Sequence, residues 1–573
     1  MTRRSTVGRG VDLHTGPRRR LGAAWPLLGV LLFAACARGV ETADLIILGG
    51  TVVDGSGDPP RTGTVVIAGH GIVTVGGAAA DGGGAQATDT IDATGLVVAP
   101  GFIDVHNHTP PAIVLPGNNL NEGFIRQGVT TVFGGPDGQF APAHIRRFSE
   151  LYAAQGIGTN VAFYIGHNGI RNEVLGEDQQ RAPTPEELEK MRGLVREGME
   201  LGAFGLSTGL MYEPGMFAET AEVIALAMEA AEYGGVYDSH VRNPVHDFVG
   251  SDREVVEIAE TARLPGKIGH LKAVGLHNEG VIADIVELVE SARERGIVIV
   301  SDQYPYDGAA TASLTGIVVA PPDLEGLDAF RQMQRQGRTD EAMAQLQAGL
   351  ADPAARARLR DASENGVDGG FAWLKATGYT SMRITSSADY PELVGLYLSE
   401  IAQQRGQDPF DAVAELIIGS SQPVNLTLGA IKEHDVRRLM VQPWNMIASD
   451  GAYADGSDAQ GGHPRSAGTF PRLIGHYARN EGVLSLEEAV RKITSLPADF
   501  HGIDDRGRLA AGMRADIAIF DPATIIDRSD WDHPQRFAEG MVHVFVNGVP
   551  VLRDGEMTGE APGEVVRRAG SER

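Results

Sequence analysis

The chain has 573 residues, 42% of them apolar and 22% charged, which describes an ordinary globular protein too long for one small core. Its 49 Lys and Arg stand against 75 Asp and Glu, and the resulting net charge of −26 argues against nucleic acid, whose phosphates need clustered cations. One cysteine, Cys36, is present, so everything after it is without a disulfide or a thiolate.

Arg3, Arg4, Arg9 and Arg18, Arg19, Arg20 form a positive stretch ahead of the apolar run Leu21 to Ala35. About 15 apolar residues fall short of the roughly 20 a membrane span needs, so an export signal is the better reading. Cys36 follows Ala34-Ala35 directly, which resembles a bacterial lipobox with Cys36 as the lipidated residue, although Phe33 stands where Leu is usual. The alternative is simple cleavage at Ala35-Cys36-Ala37. Residues 1–36 are read as a signal peptide, and the expected location is the periplasm or cell envelope. Membrane contact is then expected only through the lipid.

Residues 43–100 and 500–573 alternate apolar and polar residues between Gly and Asp turns ("ADLIILGGTVVDGSG", "RADIAIFDPATI", "VHVFVNGVPVLRDG"). Two strand-rich ends around a long middle suggest one small β-sandwich built from both termini. Residues 101–499 repeat strand and helix. "PTPEELEKMRGLVREGMEL" has Thr184 as N-cap, Pro185 at N1, Glu187 at N3 and apolar residues at helical spacing. "GAFGLSTGL", "VYDSH", "KIGHLK" and "IVIVSDQYPY" read as buried strands between further helices. The expected fold is therefore α/β, a (β/α)8 TIM-type barrel beside the sandwich, with an inserted helical subdomain at about 318–380.

Chemistry in such a barrel sits where strands end. "GFIDVHNH" ends at His106 and His108, "GVTTVFGGPDG" at Asp137, "VYDSH" at His240, "KIGH" at His270 and "MIASDG" at Asp450. Residues i and i+2 of a strand share a face, so His106 and His108 aim at one point. A lone H-x-H is weak evidence, since such pairs often only hydrogen-bond. Four imidazoles and two carboxylates that each close an apolar run point instead to a divalent metal site. The competing readings are a turn residue for Asp137 in "GGPDG" and an Asx-turn for Asp450 before Gly451.

These residues, together with "GAFGLSTGLMYEPG", "KIGHLKAVG", "QYPYDGAAT", "HPRSAGTFPR" and "TSLPADFHGIDDRGRLAAGMRADIAIFD", resemble the amidohydrolase superfamily and within it the D-aminoacylases (N-acyl-D-amino-acid deacylases), from about Ala43 to the C-terminus. The resemblance implies Zn²⁺, one or two ions. His240 and His270 would hold the tightly bound one, and His106 and His108 the weaker position with Asp450 near it as general base. Where that family commonly has a bridging Cys in "GNCG", this chain has "GPDG", placing Asp137 there. A carboxylate has two oxygens and can bridge two metals in its turn. Relatives that bridge metals with a carboxylated lysine need one at an intermediate strand end, but the one lysine before Lys267 is Lys190, on the amphipathic helix.

The implied activity is hydrolysis of N-acyl-D-amino acids, with an N-acyl amino acid or dipeptide-like small molecule as substrate. Tyr212 matches the position that helps stabilise the oxyanion, and Lys272, Tyr304 and Arg465 match those that bind the substrate α-carboxylate, for which an arginine fork is well shaped. Lys272 shares the face of His270 if that strand continues. The competing readings are packing under a loop for Tyr212 and rim salt bridges for the other three. His463 supports the site or belongs to its loop, His167 has no assignment, and Asp104, Asp302 and Arg171 read as structural. An exported dipeptidase or other amidase of the same superfamily, and a non-catalytic binding lipoprotein, are the alternatives.

Overall fold

Parallel strands, buried along their length, close into a barrel that gathers their last residues at one end. The computed structural model describes residues 43–76, 87–324, 339–367, 370, 372–429, 431–458 and 462–570. Residues 1–36, read above as an export signal, and with them Cys36, lie outside the described residues. Among the described residues no helix is long and apolar enough to cross a membrane.

The barrel strands in order are Phe102–Asp104, Val129–Gly134, Asn160–Phe163 continuing as Ile165–Gly166, Gly205–Gly209, Val236–His240, Gly266–Ile268, Ile299–Gln303 and Asn445–Ile447. Successive strands pair in parallel. The last meets the first just beyond the strands, where the Asp450 N–H donates to His106 O and the His108 N–H to Gly451 O, both at 2.9 Å. Buried Asp104 locks this seam. It accepts from Ser449 Oγ at 2.5 Å, from the Ser449 N–H at 3.0 Å and from Asn107 Nδ2 at 2.9 Å. Burial nonetheless pushes its carboxyl above the usual range, against the pull of these donors. Asp104 is structural, as its sequence context implied, and it sets the spacing of His106 and Asp450.

The helix Pro185–Glu200 carries the capping box expected of it, with the Thr184 and Glu187 side chains and backbones bonded reciprocally. Its buried face holds Met191, Val195 and Met199. Gly198 is required there, because a Cβ at that position would stand 2.6 Å from the Ile165 side chain. The close approach fixes the helix onto the third barrel strand.

Both chain ends join in one nine-stranded sheet. Val97–Pro100 pairs antiparallel with Ile517–Phe520, over a core that includes Ile47, Val65, Val98, Ile519 and Phe545. One residue later the chain enters the first barrel strand, so this sheet anchors the segment that carries His106 and His108. Between the seventh and eighth barrel strands lies the inserted segment. It is larger than 318–380 and not wholly helical: Ala310–Ser313, Met382–Ser386 and Asn425–Leu428 form a three-stranded antiparallel sheet against helices such as Thr339–Ala351 and Pro409–Gly419. Its own apolar core includes Leu346, Leu359, Ile384, Phe410 and Leu426. Strands of four or five residues that pair only across long stretches of chain leave little local pattern to read.

Replacing Ser449 with Ala removes the Oγ donor to Asp104 and the acceptor of the Gly451 N–H. Denaturant unfolding is expected to show a loss of about 1–3 kcal/mol, from one lost hydrogen bond to a carboxylate and a buried Gly451 N–H left without its acceptor.

Candidate metal centre

The second barrel strand runs into a turn, Pro136–Gly138, flanked by Gly135 at φ 80°, and Asp137 itself sits at φ 58°. Ser207 of the fourth strand pins the turn, accepting from the Gly138 N–H at 3.1 Å and donating to Gly135 O at 2.5 Å. The carboxylate is thereby held over the barrel axis. Its Oδ1 lies 3.4 Å from His106 Nε2, 3.5 Å from His240 Nδ1 and 3.5 Å from His270 Nε2, and its Oδ2 lies 3.5 Å from His108 Nε2. Asp450 Oδ1 stands 3.1 Å from His108 Nε2 and 3.6 Å from His106 Nε2. Asp137, His270 (φ 35°) and Asp450 (φ 48°) all occupy left-handed backbone, a conformation non-glycine residues hold only when the surroundings enforce it.

These spacings test whether a metal fits. Most exceed the roughly 2.7–3.2 Å of a hydrogen bond. They match ligands that share an ion, since two atoms each about 2.0–2.1 Å from a tetrahedral centre lie roughly 3.4 Å apart. Donor atoms of His106, His108 and Asp137, of Asp137, His240 and His270, and of His106, His270 and Asp450 each lie within 4.8 Å of one another. His106 Nε2, His240 Nδ1 and Asp137 Oδ1 are buried without a hydrogen-bond partner. The nitrogen and oxygen donor set fits one or two divalent ions, with Asp137 common to two of these three triads.

The electrostatics point the same way. Burial opposes ionisation of Asp137, but His106 and the other imidazoles outweigh it and hold the carboxyl well below its usual range. Burial likewise opposes Asp450, and Arg465 and the histidines overcome it. Burial depresses His240, and burial with Lys272 beside it takes His270 down to about 3, so both are neutral donors. His106 is the exception: burial disfavours its charge, yet Asp137, Asp450 and Asp302 push it up to about 9. Two buried carboxylates attract whatever cation is near, and a bound divalent ion displaces that proton.

Arg465, at the start of the helix Arg465–Arg472, pairs with Asp450 Oδ2 at 2.7 Å and lies 4.7 Å over the Tyr304 ring. Lys272 Nζ lies 5.2 Å over the same ring and donates to His270 O at 2.8 Å. The sixth strand does not continue to Lys272, because it ends at Ile268 and turns left-handed at His270. Lys272 reaches the site through that turn and not through strand alternation. Burial lowers its ammonium to about 8, with Asp450 opposing the shift. Tyr212 lies at the mouth, 44% exposed, with its ring 4.5 Å from that of His240. His463 accepts from the Arg465 N–H at 3.1 Å and bonds Gly308 O at 3.1 Å, so it orients the arginine. His167 belongs elsewhere: it bonds Glu222 at 2.9 Å, and Arg171 pairs with the same carboxylate. Lys190 is exposed on its helix. Asp302 does more than the structural role expected of it, because it contacts both Lys267 and His270. No sequence pattern singles out Lys267 or Asp238. Asp238 stands two residues before His240, and strand alternation places both on the inner face.

A closed parallel barrel with this donor set at the C-terminal strand ends defines a metal-dependent hydrolase of the TIM-barrel class. Residues 89–265 and 396–552 match the model of the amidohydrolase family. The chain belongs to that family. It is 34% identical over 547 residues to the D-aminoacylase of Alcaligenes xylosoxydans xylosoxydans, covering 92% of this chain and 98% of the relative. It is 32% identical to the N-acyl-D-glutamate deacylase of the same organism, covering 93% and 98%. The N-acyl-D-glutamate deacylase of Bordetella bronchiseptica, solved with zinc and a phosphonate mimic of the tetrahedral intermediate, superposes with a TM-score of 0.71 at 29% identity over 92% of this chain and all of that one. A D-aminoacylase with a binuclear metal centre gives a TM-score of 0.70 at 31% identity over the same shares.

Zinc measured by plasma emission after equilibrium dialysis checks the donor assignment. His108→Ala is expected to lower occupancy of one position, whereas Asp137→Ala lowers both. Each loss should exceed the roughly 10–100-fold caused by removing a merely supporting group.

Proposed function

We propose that the protein hydrolyses the amide bond of N-acyl-D-amino acids to a carboxylate and a free D-amino acid. The observation that carries this reading is the convergence at one barrel mouth of the His/Asp cluster and the cationic pair Arg465 and Lys272 around Tyr304. The similarity to D-aminoacylase and N-acyl-D-glutamate deacylase over nearly the whole chain supports the reaction, and the D-configuration rests on those relatives. Zinc is the preferred ion because the Bordetella relative carries it, and the two triads that share Asp137 favour two positions. His106, His108, Asp137, His240 and His270 would hold the metal, which when bound supplies Lewis acidity that polarises a carbonyl and acidifies water.

Asp450 is the general base. Its carboxylate is ionised and faces the cluster, so it accepts the proton of the attacking water and passes it to the leaving amine nitrogen. Arg465 holds Asp450 in the free protein, and an incoming α-carboxylate competes for that guanidinium. The substrate thereby frees the base as it binds. Lys272 adds a second positive charge, and both cations lie against the Tyr304 ring. Tyr212 is positioned beside His240 to donate its hydroxyl to the developing oxyanion. The export signal read in residues 1–36, with Cys36 as the lipid-bearing residue, supports action on small molecules in the periplasm or envelope.

Asp450→Asn is expected to lower kcat by roughly 10²–10⁴-fold, the usual share of general acid–base catalysis, while zinc content and folding persist. Lys272→Met and Arg465→Lys are expected to raise KM by roughly 10–100-fold with a smaller change in kcat, since the first removes a charged hydrogen bond to the carboxylate and the second replaces a planar two-pronged fork with a point charge. Assay of paired N-acetyl-D- and N-acetyl-L-amino acids and dipeptides tests the whole reading. Absence of D-acyl hydrolysis across the panel contradicts it.

A further inference from the structure

Beneath the metal cluster the barrel holds a lysine, where such interiors carry branched apolar side chains. Lys267, on the sixth strand, is fully buried. Its Nζ lies 2.5 Å from Asp302 Oδ2 and 3.0 Å from Asp238 Oδ1, and donates to Val105 O at 3.2 Å. Asp302 turns its other oxygen upward, where Oδ1 accepts the His270 N–H at 2.5 Å. Its Oδ2 lies 4.0 Å from His106 Nδ1. One carboxylate therefore faces a histidine from each half of the cluster.

A structural reading of this network is insufficient. Replacing a buried ion triad by apolar side chains of matched volume is often neutral or stabilising, so its presence asks for a further reason. Two features supply one. His270 holds left-handed backbone, and Asp302 fixes the N–H of that same residue. Donor atoms of His106, Asp238 and Asp302 also lie within 4.8 Å of one another, the spacing of a cation's ligands, and the Lys267 ammonium fills that role.

We infer that Lys267 is a positioning residue of the metal centre: its ammonium is a built-in cation that holds Asp302 against His270 and His106, so one device sets both ion positions. The inference rests on the metal reading above. It distinguishes Lys267 from a ligand such as His108, whose removal touches one position.

The test is zinc affinity of the purified protein by competition with a chromophoric chelator, with the visible spectrum of the Co²⁺-substituted protein as a second readout. Lys267→Met and Asp302→Asn are expected to weaken both positions together by roughly 10–100-fold and to shift the Co²⁺ bands, with His108→Ala weakening one. If Lys267→Met fails to fold, Asp302→Asn, which keeps the side-chain volume and an acceptor for the His270 N–H, decides the matter. Variants that bind both ions as the wild type does, with unchanged Co²⁺ bands, overturn this inference alone. A wild-type chain that binds neither ion overturns the metal reading as well.

Discussion

Two carboxylates buried among four imidazoles are the constraint on which the rest of the structure turns. Asp137 and Asp450 are almost inaccessible to water, and an isolated carboxylate so placed would give up its charge. Both instead sit well below the usual carboxylate range, because imidazoles and a guanidinium surround them on every strand end nearby. That accumulation of donors at non-hydrogen-bonding distances is the signature of ligands arranged about ions. Residues farther out compensate in turn: Arg465 answers Asp450, and Lys267 answers Asp302 and Asp238.

The fold delivers this cluster by bringing the six donors in at the ends of five strands and bending the backbone at three of them. Left-handed conformations at Asp137, His270 and Asp450 turn side chains inward where a continued strand would carry them past the axis. The seam between the last and first strands, locked by Asp104 and Ser449, holds His106 and Asp450 in register. The nine-stranded sheet from both chain ends anchors the first strand one residue before it enters the barrel. Strain at the site is thus borne by a rigid frame, as precise placement of ligands demands.

Much of this was legible in the sequence. His106, His108, His240, His270 and Asp450 each close an apolar run, and the alternation of such runs with amphipathic helices identifies them as strand ends. The capping box at Thr184 and Glu187 was equally plain, since it is a local pattern. Three things were not. Lys272 looked like a strand neighbour of His270, but the strand stops before either residue. The Lys267–Asp302 pair joins adjacent strands with a helix between them, and neither residue has a local pattern that announces the other. The small sheet in the inserted segment escaped notice for the same reason, since its strands are short and find partners far along the chain.

The most direct test is an anomalous difference map at the zinc edge from crystals grown with zinc. The account predicts peaks at the barrel mouth, one between Asp137 and the His240/His270 pair and one between Asp137 and the His106/His108 pair. A map with no peak among these side chains, from protein that still hydrolyses an N-acyl-D-amino acid, would contradict it.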